Sequence, residues 1–149
     1  MAKSLIEQIG ENGKRKAVIE DALRVLDAEV EDKSGLTGIA VKTSYKLVKG
    51  VAPGFLNQVM DRLLDDFLRA VEPSYQTALS RGEKPSKTLV AEGSAVADRL
   101  LAVTDARAAN AKQAVIQKTY EKLRPSAKKH VEAAMPRLGQ LLERHAASA

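Results

Sequence analysis

The chain aligns with itself at an offset of 75 residues without a gap, and this self-similarity constrains its fold more than any other feature. Nine identical pairs lie between residues 22 and 69 and their counterparts: Ala22/Ala97, Arg24/Arg99, Leu26/Leu101, Tyr45/Tyr120, Ala52/Ala127, Met60/Met135, Arg62/Arg137, Leu63/Leu138 and Arg69/Arg144. Such a repeat predicts two related helical units packed together. The alternative is that two sets of amphipathic helices share a pattern because each must bury an apolar stripe.

Apolar residues recur at helical spacing along the chain, and no window alternates as a half-buried strand does. We therefore predict an all-α fold, a compact helical bundle of about seven or eight helices. The single domain is expected to span residues 1–149, with pseudo-equivalent three-helix units at 14–71 and 89–146. The residues expected to face the interior include Leu47, Val90 and Val115.

Local signals predict several helix ends. Ser4 followed by Glu7 is typical of a capping box at the start of a short first helix. Prolines and glycines are expected to divide the remaining helices. Their predicted effects are a new short helix after Pro73, a bend at Gly93, a helix end at Pro125 with Ser126 as the next cap, and a kink or shortening at Pro136.

Composition excludes several classes of protein. A chain of 149 residues can bury a core without metals or disulfides. The absence of cysteine excludes disulfides and thiolate chemistry. No signal-peptide pattern is present, and no apolar run approaches the ~18 residues of a membrane span. We expect a cytoplasmic protein with no membrane span and no cofactor.

Charge is distributed unevenly along the chain. Residues 1–32 carry five basic and eight acidic side chains, whereas residues 112–149 carry eight basic and three acidic ones. These oppositely charged ends can pair within one chain or between chains. A basic end can also meet an anionic partner.

Two lysine-rich helix faces are candidates for polyanion binding. The first has basic residues at spacings of four and three, and the second follows in the other half of the chain. The full candidate set is Lys42, Lys46, Lys49, Lys118, Lys122, Arg124, Lys128 and Lys129. Such faces supply the sequence-independent attraction of nucleic-acid binders. The alternative is an ordinary solvated surface, and no nucleic-acid-binding motif is present.

Four charged residues form the one candidate polar site. Asp98 and Asp105 are seven residues apart and share a helix face, and Arg99 and Arg107 lie beside them. Carboxylate and guanidinium groups can together bind phosphate or polarise a carbonyl, but such residues are more often exposed ion pairs.

The sequence offers little further support for catalysis or metal binding. His130 and His145 are fifteen residues apart, about four helical turns, which is too far to share a metal. We interpret both as surface histidines and predict no metal site. No nucleophile elbow or phosphate-binding loop is present, so catalytic residues are not assigned and an enzyme is the less favoured interpretation.

A third candidate is an apolar pocket between the two halves. Tyr45, Met60, Tyr120 and Met135 form equivalent pairs in the repeat and could line it. Helical bundles bind ligands between facing helices. The alternative is that these residues are ordinary core.

Three segments together resemble a family of small bacterial helical proteins classed only as a domain of unknown function. They are residues 5–9 (LIEQI) with 13–15 (GKR), residues 101–108 (LAVTDARA) and residues 127–138 (AKKHVEAAMPRL). The resemblance spans nearly the whole chain. It implies a bacterial, cytoplasmic protein but no activity, cofactor or site residue.

These observations favour binding over catalysis. The first expectation is a helical binding or scaffold protein that associates with itself or with a protein partner. The alternatives are non-specific nucleic-acid or polyanion binding through the lysine-rich faces, and carriage of an apolar small molecule between the two halves.

Overall fold

The structure, a computed structural model, describes residues 4–146, except for the side chains of Asn12, Leu36 and Thr37. Its helices are α1 (Leu5–Ile9), α2 (Asn12–Glu31), α3 (Gly35–Lys49), α4 (Phe55–Arg81), α5 (Pro85–Ala91), α6 (Gly93–Ala109), α7 (Ala114–Ala133) and α8 (Met135–His145). These eight helices are joined by short connections, and residues 4–146 contain no strand. The predicted all-α bundle is therefore confirmed.

The first helix begins as its sequence predicts. Ser4 Oγ accepts a hydrogen bond from the backbone N–H of Glu7, and the carboxylate of Glu7 accepts one from the backbone N–H of Ser4. This capping box satisfies two backbone donors that a helix start leaves unpaired. Leu5 and Ile9, one turn apart on α1, are fully buried.

The expected helix break at Pro73 does not occur, because α4 continues through it to Arg81. A proline inside a helix removes one backbone hydrogen bond. Arg99 on α6 binds the same turn: its Nε donates to the carbonyl of Ala70 at 2.7 Å and its Nη2 to Ser74 Oγ at 3.0 Å. The tertiary contact thus supports the helix where its own backbone is weakened.

The C-terminal helices also end at different places from those predicted. Helix α7 passes through Pro125 to Ala133, and Ser126 donates to the carbonyl of Leu123 instead of capping a helix. Pro136 lies in the first turn of α8, where its missing N–H costs no hydrogen bond. Gly93 marks a full break between α5 and α6, not a bend.

The helix boundaries do not repeat at the 75-residue offset. The segment between α3 and α4, residues 50–54, corresponds to residues 125–129 inside α7. The break at Ala134 corresponds to Val59 inside α4. The internal repeat is therefore not confirmed, and the two units stay a prediction.

The core is formed where α2, α4, α5, α6 and α8 meet. Its fully or almost fully buried side chains include Val18, Tyr75, Leu89, Val96, Met135 and Leu142. Three residues predicted to face this interior do not. Leu47 is 55%, Val90 54% and Val115 42% exposed, because their helices pack against the bundle along narrower faces than the apolar pattern indicates.

Ion pairs connect α2 to α8 at two levels. Buried Asp21 accepts hydrogen bonds from Arg144 Nε at 2.9 Å and pairs with His145 Nε2 at 2.7 Å. Near the C-terminal end of α2, Arg137 bonds to Glu29. It also bonds, at 2.6 Å, to Asp32, the C-cap residue of that helix. The acidic start and the basic end of the chain therefore pair within one molecule.

Candidate functional site

A cavity of about 330 Å³ lies between the helices of the two halves. Its walls come from α2, α3, α4, α6 and the adjoining ends of α7 and α8. Apolar side chains form almost all of its surface: Val18, Ala22, Val25, Leu26, Val30, Val41, Met60, Leu64, Phe67, Leu68, Val71, Leu100, Leu101, Val131, Ala134, Leu138, Leu141 and Leu142. The space is partly open to solvent, so it is an accessible pocket in the bundle and not an enclosed void.

The cavity follows from the way the apolar stripes meet. Helix α2 contributes Val18, Ala22 and Val25, spaced by one turn, and α4 contributes a parallel row of larger residues that includes Leu64. Among the described side chains of helix α3, Val41 alone lies in the wall.

Four polar residues lie in the wall: Glu29, Lys33, Thr104 and His130. The hydroxyl of Thr104 lies 2.7 Å from the hydroxyl of Tyr120 and 3.1 Å from the carbonyl oxygen of Leu101. Its hydrogen bonds are therefore made within the protein.

His130 differs from Thr104 because its Nε2 atom is buried without a hydrogen-bond partner. Burial lowers the pKa of His130 below its ordinary value of 6.5, and the charges of Lys33 and Lys129 lower it further. The imidazole is consequently neutral at pH 7. An unpartnered buried polar atom is rare in native proteins, and it is costly unless something else satisfies it.

Lys33 and Glu29 stand one turn apart at the end of α2, and both side chains are largely buried. They are 13% and 12% exposed, and Lys33 Nζ lies 3.8 Å from Glu29 Oε1, beyond hydrogen-bond distance. Glu29 is instead hydrogen-bonded to Arg137. The carboxylate of Glu29 is thus hydrogen-bonded, whereas the ammonium of Lys33 makes only a long ion pair with it.

The candidate polyanion-binding residues divide into two groups. Ion pairs hold three of them: Lys49 with Asp27 at 3.6 Å, Arg124 with Asp105 at 2.8 Å and Lys128 with Asp98 at 3.0 Å. Five others are exposed and make no ion pair within residues 4–146: Lys42, Lys46, Lys118, Lys122 and Lys129. Since α3 contacts α7, the two lysine-rich faces lie on neighbouring helices.

The four residues of the candidate polar site turn to different partners. Asp98 and Asp105 face α7, where they pair with Lys128 and Arg124. Arg99 and Arg107 face α4, where Arg107 Nη2 lies 3.4 Å from Asp66 and Arg99 supports the backbone beside Pro73. The four side chains therefore do not converge on one site.

The hydrogen bonds of Asp105 also fix its protonation state. The hydrogen bond from Arg124 lowers the pKa of Asp105, and the one from Tyr120 lowers it further. Asp105 is therefore ionised at neutral pH and cannot act there as a proton donor.

The described part of the chain contains no group of three or more histidine and carboxylate side chains that could hold a metal ion. Within the same residues, no helix is both long and apolar enough to cross a membrane.

With this geometry in view, comparison with known proteins gives one match. Residues 5–146 match a family described as a family of unknown function, DUF6918. The chain belongs to the DUF6918 family. No curated protein and no solved structure matches it significantly. The matched range includes the entire cavity wall of this DUF6918 protein, and the family description assigns no activity to it.

Of the predicted pocket residues, the structure brings only one to the cavity of the DUF6918 protein. Met60 lies in its wall, and Met135 is 1% exposed in the core outside it. Tyr45 and Tyr120 instead donate hydrogen bonds to Asp27 and Asp105. The predicted location between the halves matches the cavity, but three of the four residues do not line it.

The sequence interpretation of both histidines as surface residues is wrong. His145 pairs with buried Asp21, and His130 Nε2 is buried beside the cavity. One signal could have identified His130: it precedes Ala134 by one turn, and Ala134 belongs to the predicted inward face.

Proposed function

We propose that this protein binds an apolar small molecule in the cavity between its two halves. The observation that carries the proposal is the cavity itself, about 330 Å³ in volume and walled almost entirely by apolar side chains. Small-molecule sites are typically concave, mostly apolar and about 300–1,000 Å³ in volume, with few polar groups. The scaffold role that the sequence favours has no comparable feature in its support, so we place ligand binding first.

The residues of the wall support binding over catalysis. A nucleophile needs a base within hydrogen-bond reach. Thr104 carries the hydroxyl of the wall, but its partners are Tyr120 and the Leu101 carbonyl, not His130. We therefore propose a carrier or sensor of an apolar molecule, and we retain the predicted cytoplasmic location as part of this proposal.

The test is titration with an uncharged naphthylamine dye that fluoresces in apolar surroundings. Ala22→Phe places a ring in the cavity, whereas Ala17→Phe puts the same ring on the exposed face of α2. Wild type and Ala17→Phe should bind the dye equally, and Ala22→Phe should lose about tenfold or more in affinity, at least ~1.4 kcal/mol.

Two results would refute the proposal. One is that wild type gives no saturable rise in fluorescence. The other is that Ala22→Phe, with the circular dichroism spectrum of a folded helical protein, binds the dye as tightly as wild type.

We propose polyanion binding as a second candidate function. Its support is that exposed Lys42 and Lys46 have no acidic partner and that α3 lies beside the lysine-bearing helix α7. Binding to duplex DNA should be measurable at ~50 mM salt and weaken steeply at ~200 mM. Replacing both lysines with Glu should abolish it, whereas Lys16→Glu on α2 should have a smaller effect. Equal binding at the two salt concentrations would exclude this candidate.

Self-association, the first expectation from the sequence, stays a further proposal. Its support is that Ile39 and Leu47 on α3 are 63% and 55% exposed. Exposed apolar side chains of this kind contribute to protein interfaces. A molecular mass that rises with concentration in analytical ultracentrifugation, and falls to the monomer in Ile39→Glu, would support it, and a constant monomer mass would exclude it.

A further inference from the structure

We infer that the ligand is an apolar carboxylic acid whose carboxylate binds Lys33 and His130. The inference rests on the proposed function, since it names the class of molecule that the same cavity would hold. Three observations lead to it: a buried nitrogen without a partner in the same wall as a lysine, a local excess of positive charge, and the volume of the cavity.

The polar groups at this place belong to His130 and Lys33, and of the two only the His130 Nε2 atom is buried without a hydrogen-bond partner. Lys33 Nζ has its nearest carboxylate oxygen, Glu29 Oε1, at 3.8 Å. Both side chains lie in the wall of the same cavity. As part of this inference, we place the proton of the neutral imidazole on Nε2. That N–H and the ammonium of Lys33 are then both donors, and an acceptor would satisfy them. A carboxylate supplies two acceptor oxygens.

The charges around this place also favour an anion. Glu29 and Asp32 both bond to Arg137, which leaves one negative charge in excess among these three groups. Lys33 and Lys129 add two positive charges, and His130 is neutral at pH 7. Together these charged groups carry a net charge of +1. A charge-assisted hydrogen bond to a carboxylate is about twice as strong as a neutral one.

The volume of the cavity limits the apolar part of the ligand. A cavity of about 330 Å³ is roughly twice the ~150 Å³ cavity known to hold benzene. It therefore accommodates about twelve carbon atoms, a straight chain the length of dodecanoate. Longer chains must extend into solvent through the open side of the cavity.

The experiment compares three ligands of the same chain length below their micelle concentrations: dodecanoate, dodecanol and dodecylamine. Each is titrated by displacement of the naphthylamine dye. Dodecanoate should bind roughly tenfold to a hundredfold more tightly than dodecanol, the range expected for hydrogen bonds to charged groups. Dodecylamine should bind most weakly.

Lys33→Met and Lys129→Met provide a matched pair of variants. Each removes one positive charge near His130, but only Lys33 lies in the cavity wall. Lys33→Met should lose most of the preference for dodecanoate over dodecanol, measured as the ratio of the two affinities in that variant. Lys129→Met should retain most of the preference. His130→Leu replaces the unpartnered nitrogen with carbon. It should also reduce the preference for dodecanoate over dodecanol.

The outcomes separate this inference from the proposed function. If the dye does not bind wild type, the proposed function fails. If the dye binds but dodecanoate and dodecanol have equal affinity, or dodecylamine binds most tightly, the proposed function stands and this inference is overturned. If Lys33→Met and Lys129→Met lose the preference for dodecanoate to the same extent, the inference is also overturned, because a general electrostatic effect would then explain that preference.

Discussion

Gly139 marks the closest approach between two helices, α5 and α8. A Cβ atom added at Gly139 would lie 2.1 Å from Ser86 Cα and 2.7 Å from its backbone nitrogen. These are backbone and near-backbone atoms, so no side-chain rotation relieves the clash. The backbone N–H of Ser86 also donates to Glu143 Oε2 on α8 at 2.8 Å. The absence of a side chain at residue 139 therefore permits both the packing and the hydrogen bond.

We expect Gly139→Ala to lower the free energy of unfolding by about 3 kcal/mol, because the two helices must separate to admit the methyl group. Urea unfolding followed by circular dichroism measures the change. Gly13→Ala on α2 is the matched control: nothing lies within 4 Å of the added Cβ. It should be neutral or stabilise by up to about 1 kcal/mol. Similar losses in both variants would contradict the packing argument.

Asp21 connects stability to pH. Burial by itself raises the pKa of Asp21, but hydrogen bonds from Arg144 and His145 outweigh burial and hold the pKa below its ordinary value of 3.8. A carboxyl group with a lower pKa in the folded state contributes stability above its unfolded pKa. That contribution is lost as the pH falls through the folded pKa.

Asp21→Asn should therefore be less stable than wild type at pH 7, and the difference should shrink as the pH falls below about 4. Urea unfolding at a series of pH values between neutral and strongly acidic measures both effects. Glu121→Gln, which removes an exposed carboxylate on α7, is the control and should follow the wild-type profile. A constant difference between Asp21→Asn and wild type at all pH values would contradict this prediction.

At the scale of the helices, proline positions alone do not determine where this chain bends. Pro73 and Pro125 lie inside continuous helices, whereas Pro136 starts one. The expectation that a proline interrupts a helix or stands at its start holds for Pro136, because a residue in the first turn needs no partner for its N–H. It fails at Pro73 because Arg99 and Ser74 form hydrogen bonds across the weakened turn. Arg99 is 25 or more residues away in sequence from the residues it binds here, so local patterns do not reveal this contact.

Arg99→Met should remove this support and lower the free energy of unfolding by about 1–3 kcal/mol, the cost of leaving buried hydrogen-bonding groups unpaired. Arg69→Met on α4 is the matched control, since Arg69 pairs only with Asp66 on the exposed surface of its own helix. The free energy of unfolding of Arg69→Met should differ from that of wild type by no more than about 0.5 kcal/mol. Thermal and urea unfolding of the two variants measure the difference, and equal stabilities would show that α4 passes Pro73 without help from α6.

At the scale of the molecule, the cavity connects ligand binding to stability. A molecule that binds only the folded state stabilises it in proportion to its occupancy. The naphthylamine dye at about one hundred times its Kd should raise the free energy of unfolding of wild type by about 2.7 kcal/mol. Ala22→Phe should show almost no such rise. Without dye, it should be more stable than wild type by about 0.5–2 kcal/mol, because the ring fills a void. An equal rise in both proteins would place the dye outside the cavity.

The candidate site could be predicted from the sequence only in part. The expectation of an apolar pocket between the halves came from residue pairs that are equivalent in the repeat, and of those residues Met60 lies in the cavity wall. Tyr45 and Tyr120 share those faces, but each hydroxyl reaches an aspartate on a neighbouring helix. The side-chain contacts of a tyrosine depend on which partners the packing brings near. Neither His130 nor Lys33 was among the predicted site residues, because no spacing rule brings α7 beside the end of α2.

The sequence by itself determined the helical class, the capping box at Ser4, and the opposite charges that join α2 to α8. These features depend on periodicity, neighbouring residues and composition, which the chain carries locally. Only the tertiary structure decided which prolines interrupt helices, which apolar residues remain exposed, and where the cavity and its unpartnered His130 lie. The physical reason is that these features arise from contacts between segments far apart in the chain, whose relative positions depend on how all the helices pack together.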